Sequence, residues 1–443
     1  MANQLSQHFT YSKLIKFVIS SVIMMIFTSI YGVVDGLFVS NYVGKTPFAG
    51  LNLIMPLLMI LSSLGFMIGT GGSAIVSKTL GEGESKKANE YFSMLVYVTL
   101  IIGIVLTISG EIFLRPIALL MGADENLIEY CVLYGRILLL SLPAFMLQNL
   151  FQSFLVTAEK PQIGLAVIVI AGITNIIGDF LFIAVFRWGL AGAGIATALS
   201  QVMGGFIPFI YFSRKNTSLL RFTKTRFNGK ILFKTCTNGS SELMTNISIS
   251  LVSMIYNFQL MSVAGEDGVS AYGVIMYVNF VFVAIFIGFS IGTAPLIGYN
   301  YGSGNHKELQ NLFKKSLVIV SITALFLFTI SQILSSPLTK IFVGYDESLF
   351  NMTSHGFKIY AISFLINGFN IAGSSFFTAL GNGLISALIS FLRTLVFQVS
   401  ALIILPIFFG INGIWASIAV AEFLAVIVTV IFFVKNKEKY HYL

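Results

Sequence analysis

Charge is scarce in this chain. Only 10% of its 443 residues are Asp, Glu, Lys or Arg, against about 25% in a soluble domain, which excludes an ordinary soluble enzyme. Cysteine is almost missing: Cys131 and Cys236 lie in unrelated segments and make neither a disulfide framework nor a metal motif. The four histidines, His8, His306, His355 and His441, avoid the apolar stretches and form no ligand cluster, which argues against a metal-dependent intramembrane enzyme. With no His or Cys constellation of a catalytic kind, neither catalytic residues nor a cofactor is expected.

Apolar surface is plentiful. Apolar residues make up 56% of the chain, and the charges are bunched so that runs of roughly twenty residues carry none, enough to cross a hydrocarbon core of about 30 Å. Twelve such runs, near 14–41, 48–78, 91–112, 127–157, 162–186, 190–212, 235–261, 270–298, 312–334, 356–378, 384–409 and 411–434, predict an all-α integral membrane protein of twelve transmembrane helices. The residues before the first run show no positive leader and no small-residue cleavage site, so that span is expected to be retained.

An even count places both ends on one side. The linker at 214–234 carries Arg214, Lys215, Arg221, Lys224, Arg226, Lys230 and Lys234 and no acidic residue. Together with bases at the other loops of that side, a set that includes Arg393, 20 of the 26 Lys and Arg gather on one face. The positive-inside rule assigns that face, and both termini, to the cytoplasm. The net charge of +8 then needs no nucleic acid.

The sequence also repeats itself. At an offset of 221, Gly189 to Gly192 and Gln201 fall on Gly410 to Gly413 and Glu422, while Gly71, Gly81, Gly83 and Lys86 fall on Gly292, Gly302, Gly304 and Lys307. At 222, Ala49 and Asp35 fall on Ala271 and Asn257. Two six-helix units of like orientation follow, residues 1–213 and 235–443 with the basic linker between them, a plan used by transporters that rock two bundles around a central site. Gly69 to Gly72 and Gly288 to Gly292 lack the lysine spacing of a phosphate loop and read as close helix packing by small residues.

Four carboxylates, Asp35, Asp179, Glu242 and Glu422, lie well inside apolar runs, where a charge costs about 2.5–3.5 kcal/mol on insertion scales and is functional by default. At about 1.5 Å of rise per residue, Asp35, Asp179, Thr197 and Tyr134 all reach the outer half of the first bundle. Asn175 and Asp179 share a helix face at i and i+4. Two carboxylates with amide and hydroxyl oxygens either share a proton or ligate a small hard cation. Glu242 lies nearer the cytoplasmic face, and Arg136 either lines the outward cavity or neutralises a neighbouring acid.

Tyr31-Gly-Val-Val-Asp35-Gly, Gly71 to Gly83, Asn175-Ile-Ile-Gly-Asp179 and Gly189 to Thr197 resemble the multidrug and toxic compound extrusion (MATE) family over essentially the whole chain. Ser240-Ser-Glu242 is similar to its DinF-like and MepA-like branch. The resemblance implies two six-helix lobes in a V and an antiporter of the bacterial plasma membrane. It would export lipophilic, often cationic drugs against an inward flow of H⁺ or Na⁺ and work as a monomer among membrane lipids. It also implies a cation site at Asp35, Asn175, Asp179 and Thr197, with Tyr134 beside it, as the one place for a metal ion, Na⁺. Glu242 corresponds to a second-lobe acidic position for coupling or substrate. Ser20 or Ser21, and Ser241, stand where many relatives have proline. The alternative is a lipid-linked precursor flippase of the same superfamily. It would need a wide cationic cavity, whereas intramembrane arginine is limited here to Arg136 and Arg393.

Overall fold

The computed structural model describes residues 4–443, apart from the side chains at 37, 40, 41 and 45. The first half is six helices: α1 (Tyr11–Tyr42), α2 (Lys45–Gly81), α3 (Ser85–Leu120), α4 (Ile128–Thr157), α5 (Pro161–Asp179) and α6 (Gly189–Ser213). The second half comprises α7 (Gly229–Gly302), α8 (His306–Val343), α9 (Glu347–Tyr360), α10 (Asn367–Ala379), α11 (Gly383–Phe391), α12 (Gln398–Phe409) and α13 (Ile411–Tyr440). No strand is present among the described residues.

Eleven continuous helical stretches among the described residues are long and apolar enough to cross a membrane, one fewer than the apolar runs. The difference lies in α7, where Gly265 takes φ 63° and ψ −151°, a conformation open chiefly to glycine. The chain reverses there, because the rings of Tyr256 and Tyr272 stack at 4.6 Å, whereas sixteen residues of straight helix would separate them by about 24 Å. The two arms of α7 are therefore the seventh and eighth spans, and the twelve-span architecture stands.

Three other spans are less regular than the sequence predicts. Beyond Asp179, α5 passes into a π-helical turn at Phe180–Val185, and a second π turn, Leu392–Phe397, joins α11 to α12. A 3₁₀ turn, Ala361–Leu365, joins α9 to α10. The linker is shorter than expected, since α7 already starts at Gly229, where the Asn228 side chain accepts the Ile231 N–H. It is strapped to α3: Arg221 N–H donates to Asn89 at 2.6 Å, Thr223 N–H donates to Ser93 at 3.0 Å, and Phe222 stacks on Phe92.

Glycines lock the two halves together at the basic face. A Cβ on Gly71 would overlap the Thr235 carbonyl, and one on Gly239 would overlap that of Met67. Gly81 and Gly302 likewise press on the backbones around Tyr299 and Lys78, and Gly288 lies against Ser21 and Val22 of α1. Near the other end of α1 the reverse holds: a Cβ at Gly32 or Gly36 would meet nothing within 4 Å. The halves are thus locked backbone to backbone at the basic face, while α1 borders open space at Gly32, in the wall of a chamber.

Candidate functional site

Inside the first half, α1, α2, α4, α5 and α6 surround a chamber of about 290 Å³ whose lining includes Tyr31, Asp35, Gln148, Asn175 and Thr197. The rise of each helix carries these residues to one depth. Asn175 donates to Thr197 Oγ1 at 3.4 Å, and Thr197 donates in turn to Asp35 Oδ1 at 3.5 Å. Both bonds are long, so the cluster is loosely tied.

Asp179 closes the group from the last turn of α5. It is fully buried and its carboxylate lies against that of Asp35. Among the described residues no hydrogen-bond donor reaches either of its oxygens, the Asn175 side-chain oxygen or the Tyr134 hydroxyl, although Tyr134 lies beside Thr197 and the two acids. A buried polar atom without a partner costs about 1–3 kcal/mol, and more when charged. The cluster therefore concentrates carboxylates and lone pairs with no positive group among the described residues to balance them. Such a set of hard oxygens suits a proton or a small hard cation.

A second chamber of about 280 Å³ lies between the halves and is lined by Glu242, Asn246, Ser374, Ser390 and Arg393 among others. Phe66 borders both chambers. Glu242 thus faces a different space from the Asp35 cluster. Arg393, counted from the sequence among the bases of the cytoplasmic face, is no surface cation: it donates from Nε to Glu422 Oε1 at 2.8 Å with its side chain 14% exposed. Glu422 is satisfied on both oxygens, since Asn370 donates to Oε2 at 2.7 Å. Arg136 pairs with Glu111 at 3.3 Å on an exposed edge and is not among the residues lining the first chamber.

Sequence reasoning missed Gln148 and Gln152, which line the first chamber with their Oε1 atoms unpartnered. The signal was present: they are i and i+4 within an apolar run, and so share one face of α4. Gln201, which the sequence marks only as the repeat partner of Glu422, accepts from Ser141 at 2.6 Å and lines the same chamber.

Among relatives, the chain is 25% identical over 396 residues to the multidrug export protein MepA of Staphylococcus saprophyticus, covering 89% of this chain and 86% of that protein. It is 24% identical over 400 residues to MepA of Staphylococcus aureus, with the same coverage. Solved structures of a MATE protein in complex with MaL6 and in the straight conformation share the fold at a TM-score of 0.92. Their identities are 22% and 21%, each covering 98% of both chains. The MatE family model matches twice, over residues 20–181 and 243–404, so that both six-helix halves carry it and the chain belongs to the MatE family.

Proposed function

We propose that this protein is a multidrug efflux transporter that works as a cation-coupled antiporter, exporting lipophilic and often cationic compounds from the bacterial cytoplasm in exchange for H⁺ or Na⁺. The observation that carries the coupling is the Asp35–Asp179 pair, whose excess negative charge no described residue offsets. The export reading draws on the likeness to MepA proteins named for multidrug export and on two chambers that share Phe66, each mixing apolar side chains with polar ones.

In this reading the basic face is cytoplasmic, and the present arrangement, closed there, faces outward. Loading of the acid pair from outside neutralises it and lowers the cost of enclosing it when the outer gap closes. Drug leaves before the cation is carried in. A state open to the cytoplasm then releases the cation to the inside and takes up the next drug molecule. Asn175, Thr197 and Tyr134 supply neutral oxygens that either accept hydrogen bonds around a shared proton or complete the shell of a Na⁺ ion.

Purified protein in liposomes, preloaded with a cationic dye, tests this with pH and Na⁺ gradients imposed separately. Efflux driven by one or both gradients is expected, and dye movement indifferent to both would remove the antiport reading.

A further inference from the structure

The second chamber differs from the first in carrying charges of both signs. Arg393 is set inside the π turn Leu392–Phe397, a distortion that re-aims side chains and is frequent at functional sites. Behind it runs a chain of satisfied groups: Nε donates to Glu422, Asn370 donates to Glu422 at 2.7 Å, and Thr429 donates to Asn370 Oδ1 at 2.9 Å. A guanidinium has five N–H donors, and the described residues take only Nε–H by hydrogen bond. Its terminal nitrogens are therefore held at the chamber wall with capacity to spare. In the same chamber, no described side chain hydrogen-bonds the Glu242 carboxylate, whose residue is engaged through its backbone carbonyl, accepting from Asn246.

Packing alone does not account for the pair. A buried ion pair is often no more stabilising than apolar residues of similar volume. In the first half of the duplicated chain, at an offset of 221, Gly172 and Gln201 stand where the second has Arg393 and Glu422, so the six-helix unit packs without these charges.

We propose that Arg393 is a specificity-determining residue: clamped by Glu422, it binds the carboxylate of an amphoteric lipophilic compound whose amine is drawn to Glu242. The inference rests on the export reading above and names a substrate class for it. A carboxylate takes two parallel N–H bonds from a guanidinium. Each chamber is near the lower end of the roughly 300–1,000 Å³ usual for ligand pockets, and their common border at Phe66 gives a larger aromatic body room to extend.

The test uses a matched pair of dyes, rhodamine 110 with a free carboxylate and rhodamine 123, its methyl ester, binding to the purified full chain followed by fluorescence polarisation. Hydrogen bonds to a charged group predict that the wild type holds rhodamine 110 about tenfold more tightly. The double variant Arg393→Met with Glu422→Leu removes both charges together and leaves neither buried alone. It is expected to lose that preference while keeping its affinity for rhodamine 123, and Arg393→Lys, which retains the charge without the fork, to keep part of it. Equal binding of the two dyes by the wild type overturns the proposal without any variant, and so does a preference that survives in the double variant. Failure of both dyes to bind at all strikes the export reading itself.

Discussion

His8 Nδ1 lies 2.6 Å from Glu308 Oε2, tying the segment before α1 to the first turn of α8. Glu308 also accepts the buried Phe9 N–H at 2.9 Å, and on the other half of the molecule Glu159 accepts Leu5 N–H at 2.8 Å. The amino-terminal segment therefore bridges both halves at the basic face. His8 is 69% exposed at its side chain, where an ion pair contributes little, whereas stranding the Phe9 N–H costs about 1–3 kcal/mol. Thermal unfolding in detergent should show a clear loss for Glu308→Ala, a smaller one for Glu308→Gln, which keeps an acceptor, and almost none for His8→Ala. A ranking led by His8→Ala would show that the ion pair, not the Phe9 bond, holds the segment.

Glu159, in the turn between α4 and α5, gives a pH dependence. Burial pushes its carboxyl above the ordinary 4.5, and the Leu5 N–H bond offsets this only in part. The folded state then binds the proton more tightly than the unfolded chain. Its contribution to stability is fully present at low pH and is lost as pH rises through the raised value. Glu159→Gln keeps an acceptor for Leu5 and should flatten the fall in unfolding temperature from about pH 4.5 upward. Identical pH profiles for the two proteins would rule Glu159 out as its source.

The glycine interlock makes a conformational prediction. In Gly239→Ala the added Cβ collides with the Met67 carbonyl, and overpacking of this kind costs about 1–3 kcal/mol, charged only to the arrangement in which the basic face is closed. Ser77, buried where Gly298 packs against it, reports on that closure. Ser77→Cys should react with a water-soluble maleimide faster in the Gly239→Ala background than alone. Unchanged reactivity would mean the halves do not part along this seam.

Much of this was legible in the sequence because it is written in composition. An acid in an apolar run is conspicuous for its cost, so Asp35, Asp179 and Glu242 stood out, and a depth count along each helix was enough to bring Asp35, Asp179, Thr197 and Tyr134 to one level. Glycine spacing pointed to close helix packing, and the structure places part of it at the seam between the halves. What stayed hidden depends on partners distant in sequence. Arg393 reads from the sequence both as a base of the cytoplasmic face and as an intramembrane arginine, because its acid, Glu422, is 29 residues away on another helix. Gln148 and Gln152 carry no charge to mark them. The π turns at Phe180 and Leu392 have no glycine or proline signature, whereas the reversal at Gly265 falls within the 262–269 gap between two apolar runs.

Orientation can be read by labelling. With 19 of 26 bases left on one face once Arg393 is set apart, Lys224→Cys and Asp267→Cys should react from opposite sides of the membrane with an impermeant thiol reagent, in a background whose two free cysteines, Cys131 and Cys236, are replaced by serine or alanine. Lys224→Cys should be silent in intact cells and reactive in inverted vesicles. Labelling of Lys224→Cys from outside would reverse the orientation, and with it the direction of export.

The acid pair offers the sharpest test, because transport and stability should move in opposite directions. Asp179 is buried against Asp35 with no donor on either oxygen. Asparagine at either position keeps the shape and supplies an amide that donates to the remaining carboxylate, while removing one of two like charges. If the pair exists to take up a cation, Asp35→Asn and Asp179→Asn should each abolish gradient-driven dye efflux from liposomes, leave dye binding nearly intact, and raise the unfolding temperature in detergent at neutral pH. A purely structural pair predicts a different combination, with transport largely preserved because asparagine retains most of the packing and hydrogen bonding. Should both variants export at the wild-type rate under either gradient, coupling does not reside in the first half, and Glu242 in the second chamber becomes the residue to test next.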